Sequence, residues 1–295
     1  MAITGKLALA ALGLALTGVA HAAPHITDFN CTSCKAWNVP QKPFKLYGNT
    51  WYVGTQELSA LLVTSPKGHI LLDGALPQSA PLIEKNIKAL GFKMKDVKLI
   101  VNSHEHFDHA GGIAALQRRS GAIVAASAIG ARVLREGTIG KDDAQYEAGH
   151  EPRIDPVARV QVVGDGETLT VGGLSLTAHM TPGHAPGGTT WSWTSCEQGR
   201  CLDMVYADSL TAVAADNVRF GDSAERVASL RSSIAKVAAL KCDVVVSTHP
   251  SFTDTMDKLA ARSATANPFI DPNGCRAYAD ASAVRLDERL AKEKK

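Results

Sequence analysis

Short apolar runs of β-branched and aromatic residues, each bounded by turn residues, dominate the first third of the chain. Such runs predict strands, and four of them stand out: residues 51–54, 58–64, 69–73 and 97–102. A helix is predicted before the last of these, where apolar residues recur at helical spacing between Leu82 and Leu90 and Gly91 ends the pattern. Further along, the pattern predicts two helices and one strand: helices at residues 111–119 and 128–136, and a strand at 122–126.

The second half of the chain repeats this order of strands followed by helices. Five strand-like runs come first: residues 160–163, 168–171, 174–179, 189–194 and 201–206. A long helix follows over residues 224–240, capped by Asp222 or Ser223, and a short buried strand at 244–247 precedes a helical tail. We therefore predict an α/β (α+β) fold of two similar halves whose sheets pack together with helices outside. The polar stretch at residues 137–156 is longer than a typical loop, so we expect it to be functional.

The N-terminus has the pattern of a targeting segment. Lys6 precedes an apolar run at residues 7–19, and residues 20–22 form a small-x-small cleavage signal. The run is too short to cross a hydrocarbon core of roughly 30 Å as a helix. We predict a signal peptide at residues 1–22 and a single mature domain at 23–295, with a retained anchor as the alternative. The protein is thus expected to be periplasmic or secreted.

Composition and charge limit the classes of protein and of binding partner that fit this sequence. The chain has 295 residues, of which 45% are hydrophobic and 20% charged, and these globular proportions exclude disordered, collagen-like and coiled-coil proteins. A formal net charge of only +2 gives no electrostatic case for nucleic acid or for an anionic membrane. We expect a monomer that acts on a small molecule.

The predicted export of the protein decides how its six cysteines are interpreted. In an oxidising compartment an even number of cysteines favours disulfides over thiol chemistry. Cys31 and Cys34 form a C-x-x-C unit that would suggest redox chemistry or zinc in a cytosolic protein, and pairing elsewhere in the chain stays open. The preferred pairs are Cys31–Cys34, Cys196–Cys201 and Cys242–Cys275.

The densest cluster of potential metal ligands in the sequence directly follows the predicted strand at residues 97–102. Its run reads His104, Glu105, His106, Phe107, Asp108, His109. In extended backbone, side chains at i and i+2 point the same way, so His104 and His106 can share one metal. Asp108 and His109 fall where the chain turns into a helix, and they can face a second metal. Imidazoles and carboxylates are ligands that zinc accepts. We expect Phe107 to pack, and Glu105 to lie behind the ligands or in solvent rather than to act in catalysis.

This run resembles the signature of the metallo-β-lactamase superfamily, and two later segments resemble its further motifs. One is Thr-Pro-Gly-His ending at His184, and the other is the predicted strand end that carries His249. The resemblance covers nearly the whole mature chain and implies the superfamily's four-layer αββα sandwich. It also implies two Zn²⁺ ions per chain with a hydroxide between them as nucleophile. The implied ligand sets are His104, His106 and His184 for one ion, and Asp108, His109 and His249 for the other.

Within the superfamily the chain is most similar to the third subclass of class B metallo-β-lactamases. After His184 the sequence reads Ala-Pro-Gly-Gly-Thr-Thr-Trp, similar to that subclass's Pro-Gly-His-x-Pro-Gly-Gly-x-x-Trp pattern. The resemblance implies zinc-dependent opening of penicillins, cephalosporins and carbapenems, with Asp108 orienting the nucleophile, and hence antibiotic resistance. The alternatives are an exported thioesterase of the glyoxalase II type or a lactonase, and an inactive metal-binding member.

The resemblance also suggests substrate-binding residues, which are Ser209, Thr211, Gln145 and Trp37. Non-lactamase relatives have an aspartate near Asp208 that bridges both metals, usually with Gly before it. Because Ala207 precedes Asp208 here, we favour Ser209 in the site. Turn formation for Thr211, a surface position for Gln145 and packing for Trp37 are the alternatives.

Overall fold

A computed structural model describes residue 1 and residues 25–295 of the chain. The predicted signal peptide at residues 1–22 therefore lies, apart from residue 1, outside the described residues. Within the described residues the first sheet contains seven strands: β1 (Phe44–Tyr47), β2 (Thr50–Tyr52), β3 (Leu61–Val63), β4 (His69–Leu72), β5 (Val97–Val101), β6 (Ile123–Ala126) and β7 (Val160–Val162). The second sheet contains five: β8 (Thr168–Val171), β9 (Leu174–Met180), β10 (Thr189–Glu197), β11 (Arg200–Ala207) and β12 (Val244–Ser247).

Apart from the first, which precedes β1, the helices follow strands in both halves. They are α1 (Cys34–Trp37), α2 (Ala80–Ala89), α3 (Phe107–Ala110), α4 (Ile113–Ser120), α5 (Ala128–Glu136), α6 (Ala224–Ala238), α7 (Thr255–Ala260) and α8 (Gly274–Glu293). In the described part of the chain, none of these helices combines the length and the apolar character that crossing a membrane requires.

Both sheets combine antiparallel and parallel pairing. The first sheet keeps the order of the chain, antiparallel from β1 to β4 and parallel from β4 to β7. The second has the order β12-β11-β10-β9-β8 and is antiparallel except between β11 and β12. As a result β9, β11 and β12 all point their carboxyl ends to the same edge of the second sheet.

Three apolar clusters divide the molecule into four layers. In β4, Leu71 packs in the outer cluster with side chains of α2, α4 and α5, whereas Ile70 and Leu72 pack between the two sheets. This alternation follows from the two-residue period of a strand. A third cluster joins the second sheet, through Val205 and Val245, to α6 and α8. The order is helices, sheet, sheet, helices, so the predicted αββα sandwich is confirmed.

The predicted helix at residues 111–119 is the element that differs most from its prediction. The structure has two shorter helices there, α3 and α4, with Gly111 and Gly112 between them. At Gly112 a Cβ atom would lie 2.2 Å from the carbonyl oxygen of Gly74, so the chain passes too close to another loop for any side chain. The strand β1 was not predicted.

Three disulfides link the six cysteines. The bonds are Cys31–Cys34, Cys196–Cys201 and Cys242–Cys275, so the preferred pairing is confirmed. Cys196 and Cys201 are direct partners across the hairpin of β10 and β11, which places that disulfide at the closed end of the two longest strands.

Candidate metal centre

All six predicted ligands lie at the edge where strands of both sheets end. The run from His104 to His109 follows β5, His184 lies in the loop between β9 and β10, and His249 follows β12. The two sheets are joined at this edge, because the N–H of Thr189 donates to the carbonyl of Ser103 at 2.7 Å. Residues far apart in sequence therefore meet where the two sheets come together.

Three buried histidines form the first group of candidate ligands. His104, His106 and His184 each offer one ring nitrogen within 4.8 Å of the others. The Nδ1 atom of His106 lies 3.2 Å from Nε2 of His184. Within the described ranges, His104 Nε2 is buried and has no hydrogen-bond partner. An orphaned ring nitrogen in such a cluster is expected where a cation completes the site.

The remaining nitrogen of each ring donates to an oxygen of the protein, which fixes the ring and its tautomer. The bonds are His104 Nδ1 to Asp208 Oδ1 at 2.7 Å, His106 Nε2 to Asp143 Oδ2 at 2.8 Å, and His184 Nδ1 to the carbonyl of Thr211 at 3.0 Å. The hydroxyl of Thr211 also lies 2.9 Å from His184 Nδ1. Each ring is thus oriented with its free nitrogen toward the cluster.

A second group adjoins the first and shares His104. His104, Asp108 and His109 offer one ligand atom each within 4.8 Å. His249 extends this group, because its Nε2 lies 3.2 Å from Nε2 of His109 and 3.3 Å from Asp108 Oδ2. The structure thus brings together all six residues predicted as ligands; their metal-binding roles remain predictions.

Burial and neighbouring charges set the protonation of the cluster. Burial, reinforced by the neighbouring imidazoles, lowers the pKa of His184 to about 3 and that of His104 well below its usual value. Burial alone would lower the pKa of His106, but its acidic neighbours, Asp143 first and then Glu105 and Asp108, together outweigh burial and raise that pKa to about 9. Burial would raise the pKa of Asp108, but His109 and His249 hold it well below its usual range.

The donor set fits a metal ion of the zinc class. It combines imidazoles, of which those of His104 and His184 are kept neutral, with the ionised carboxylate of Asp108, and these are ligand types found in zinc sites. Two pairs of imidazole nitrogens approach to 3.2 Å, and each pair can share at most one proton in a hydrogen bond. A cation between these nitrogens satisfies all of them at once, and the rings of His106 and His184 are already held by their other nitrogens.

Two buried aspartates support the centre and were missed from the sequence. Asp73 accepts from the N–H of Ser103 at 2.7 Å and from the hydroxyl of Tyr206 at 2.8 Å, which fixes the start of the ligand loop. An acidic residue directly after the apolar strand β4 was a possible signal for it. Asp143 lies in the polar stretch at residues 137–156, where nothing in the sequence separates it from its neighbours.

Replacing Asp143 by alanine is expected to weaken metal binding by about 10- to 100-fold, the usual cost of losing a partner behind a ligand. The reason is that His106 would lose the bond that fixes its tautomer. Competition with a chromogenic chelator measures the change in Kd. The matched control is Asp142→Ala, because the exposed Asp142 pairs with Arg132 at 2.8 Å outside the cluster. An equal loss of metal affinity in both variants would contradict the role of Asp143.

The predicted substrate-binding residues lie around this centre at different depths. Trp37 packs on the ring of His249 with centroids 5.5 Å apart, and Gln145 Nε2 lies 3.4 Å from His106 Nδ1. Thr211 contacts His184, as described above. Ser209 is buried, with its hydroxyl 2.8 Å from that of Thr248. Their roles in substrate binding stay predictions.

The structure also places three neighbours of the candidate ligands, which are Asp208, Glu105 and Phe107. Asp208 lies behind His104 and belongs to neither group of candidate ligands found in the described residues. Glu105 is buried, so a place in solvent is wrong for it. Phe107 packs against Phe29 with centroids 4.4 Å apart, as predicted.

Comparison with known proteins agrees with this geometry. The sequence model of the metallo-beta-lactamase superfamily matches residues 54–249. The solved structure of the Rm3 metallo-beta-lactamase is 51% identical with a TM-score of 0.87, covering 90% of this chain and 100% of that one. The structure of MEM-A1, a subclass B3 metallo-beta-lactamase from a soil metagenome library, is 50% identical with a TM-score of 0.84, covering 88% of this chain and 98% of that one.

Curated relatives are more distant. A hydroxyacylglutathione hydrolase of Anaeromyxobacter dehalogenans is 31% identical over 185 residues, which cover 63% of this chain and 57% of that protein. Two further curated relatives are matched over 36% and 55% of their length. The chain thus spans about half the length, or less, of the curated relatives that it matches.

Proposed function

Because this chain belongs to the metallo-β-lactamase superfamily, we propose that it hydrolyses the amide bond of β-lactams in a metal-dependent reaction. The observation that carries the proposal is the convergence of His104, His106 and His184 beside Asp108 and His109. Solved structures about half identical to the chain, and matched over nearly their whole length, are themselves metallo-β-lactamases.

The finer proposal is a centre of two zinc ions. His104, His106 and His184 would hold one ion, and Asp108, His109 and His249 the other. When bound, zinc supplies a Lewis acid for the lactam carbonyl and lowers the pKa of water toward about 7, so that hydroxide is available near neutral pH.

Asp108 is the protein group that would handle the proton. Its carboxylate lies 3.2 Å from the His109 ring and 3.3 Å from the His249 ring, which keep it ionised. An ionised carboxylate can accept a hydrogen bond from the attacking water, orient it toward the carbonyl carbon and take its proton. The proton then passes from Asp108 to the lactam nitrogen as the C–N bond breaks.

Three partly exposed residues flank the centre and would bind the substrate. Thr211 lies beside His184, Gln145 beside His106 and Trp37 beside His249, so each contacts a different candidate ligand. We propose that Thr211 receives the substrate carboxylate, and that Gln145 and Trp37 contact the rest of the molecule. Ser209 belongs to the same proposal, but its buried hydroxyl must first leave Thr248.

The proposal extends to the setting in which the enzyme works. We propose a mature monomer of residues 23–295, periplasmic or secreted, that opens penicillins, cephalosporins and carbapenems and so confers antibiotic resistance. The apolar run at residues 7–19 and the three disulfides support export, because disulfides persist in oxidising compartments.

A substrate comparison tests the proposal against its main alternative. Thioester hydrolysis is the second candidate, because a hydroxyacylglutathione hydrolase is among the curated relatives. We expect the purified mature protein to open a chromogenic cephalosporin and to leave S-D-lactoylglutathione intact, as followed by absorbance. Cleavage of the thioester with the cephalosporin untouched would replace our proposal by the alternative.

A further inference from the structure

The loop that carries His184 is held at Gly187 from both sides. The N–H of Gly187 donates to Oε1 of Glu105 at 2.9 Å, and its carbonyl accepts from the hydroxyl of Ser127 at 2.8 Å. Ser127 in turn caps the N-terminus of α5 by accepting from the N–H of Gly130. Glu105 lies between two candidate ligands in the sequence, so its carboxylate joins their loop directly to the loop of the third.

The contact requires glycine at position 187. A Cβ atom there would lie 2.3 Å from Glu105 Oε2 and 2.8 Å from the hydroxyl oxygen of Ser127. Real Cβ atoms do not approach other atoms so closely, so any side chain would displace the carboxylate from the backbone. Glu105 and Gly187 are therefore sterically matched across the two ligand loops.

Packing alone does not account for Glu105. The side chain is only 2% exposed, and its Oε2 has no hydrogen-bond partner among residues 25–295. Burying a carboxylate is unfavourable unless its oxygens are bonded, whereas an apolar side chain carries no such cost. A polar side chain at this buried position is explained by the bond that its Oε1 accepts from Gly187.

We propose that Glu105 is a positioning residue of the metal centre. By holding Gly187, it keeps the His184 loop against the loop of His104 and His106, and it thereby sets the metal affinity of the three-histidine group. The inference rests on the proposed function, because a metal must bind these histidines for their affinity to be set. Glu105 acts through the loop and contacts neither metal nor substrate.

Zinc affinity tests this role without recourse to activity. For E105A we expect the Kd for zinc, measured on the full mature protein by competition with a chromogenic chelator, to rise by about 10- to 100-fold. E105Q keeps an oxygen where Oε1 accepts, so its Kd should stay closer to the wild-type value. Hydrogen exchange at the Gly187 amide should accelerate in E105A and not in E105Q. Thermal melting confirms that both variants fold.

Asp155 offers a matched control. It is also a buried carboxylate that accepts a backbone N–H, that of Ile26 at 2.7 Å, but it has no bond to a ligand loop. D155A should bind zinc like the wild type. If the wild type binds zinc and E105A binds it equally well, or if D155A loses as much, the role of Glu105 is overturned while the proposed function stands. A wild-type protein that binds no zinc would overturn both.

Discussion

Replacing His104 by alanine is expected to lower kcat/KM for β-lactam hydrolysis by more than about 100-fold. Loss of a group that only supports a ligand already lowers metal affinity or activity by about 10- to 100-fold, so loss of a ligand should lower them further. Among the described residues His104 is the one member common to both groups of candidate ligands. Hydrolysis of a chromogenic cephalosporin measures the effect on activity, and elemental analysis should show a parallel fall in zinc content.

His179 provides the control for this variant. It is a half-buried histidine on β9 whose Nε2 lies 2.8 Å from the hydroxyl of Ser192, and it belongs to neither ligand group. H179A should therefore retain wild-type activity, whereas a chelator should reproduce the H104A loss in the wild-type protein. Full zinc content and full activity in H104A would show that His104 is not a ligand.

Replacing Asp108 by asparagine should lower kcat by about 10²- to 10⁴-fold, the range expected for a lost proton-transfer group. Asparagine preserves the shape of the side chain and one carbonyl oxygen, but it carries no charge and cannot take a proton from water. It would also place an amide against the rings of His109 and His249, where the charged carboxylate now lies. Steady-state kinetics with a cephalosporin measures the change in kcat.

The zinc content of D108N distinguishes the two roles that Asp108 can have. D108N that loses one equivalent of zinc together with its activity would identify Asp108 chiefly as a ligand, whereas full zinc with low kcat would identify it chiefly as the proton acceptor. Asp142→Asn, made on the exposed partner of Arg132, should change neither quantity. Our assignment does not survive if D108N keeps both its zinc and its kcat.

The elements predicted best from the sequence are those fixed by local geometry. The helix predicted at residues 128–136 and the strand at 244–247 have the bounds of α5 and β12. Their periodicity arises within a few residues of backbone, so neighbouring side chains reveal it. The break between α3 and α4 instead depends on the distant Gly74, and no local pattern reports such an approach.

The same distinction separates the candidate ligands from the groups that orient them. His104, His106, Asp108 and His109 are dense in sequence and matched a known motif, so they were recognised together. Asp143 meets His106 only because the stretch at residues 137–156 folds back across the centre. Thr211 was predicted to bind substrate, yet its visible contact is with His184, and Asp208 bonds to His104 rather than bridging two groups.

The placement of the ligands on both sheets has a thermodynamic consequence. Four candidate ligands come from the loop and the short helix α3 that follow β5 in the first sheet, and His184 and His249 come from the second. A metal held by this set cross-links the two halves of the sandwich and binds the folded state alone, so it stabilises that state by mass action. Free metal at 100 times its Kd adds about 2.7 kcal/mol to the free energy of unfolding. Scarcity of zinc would then shorten the lifetime of the folded protein as well as abolish its activity.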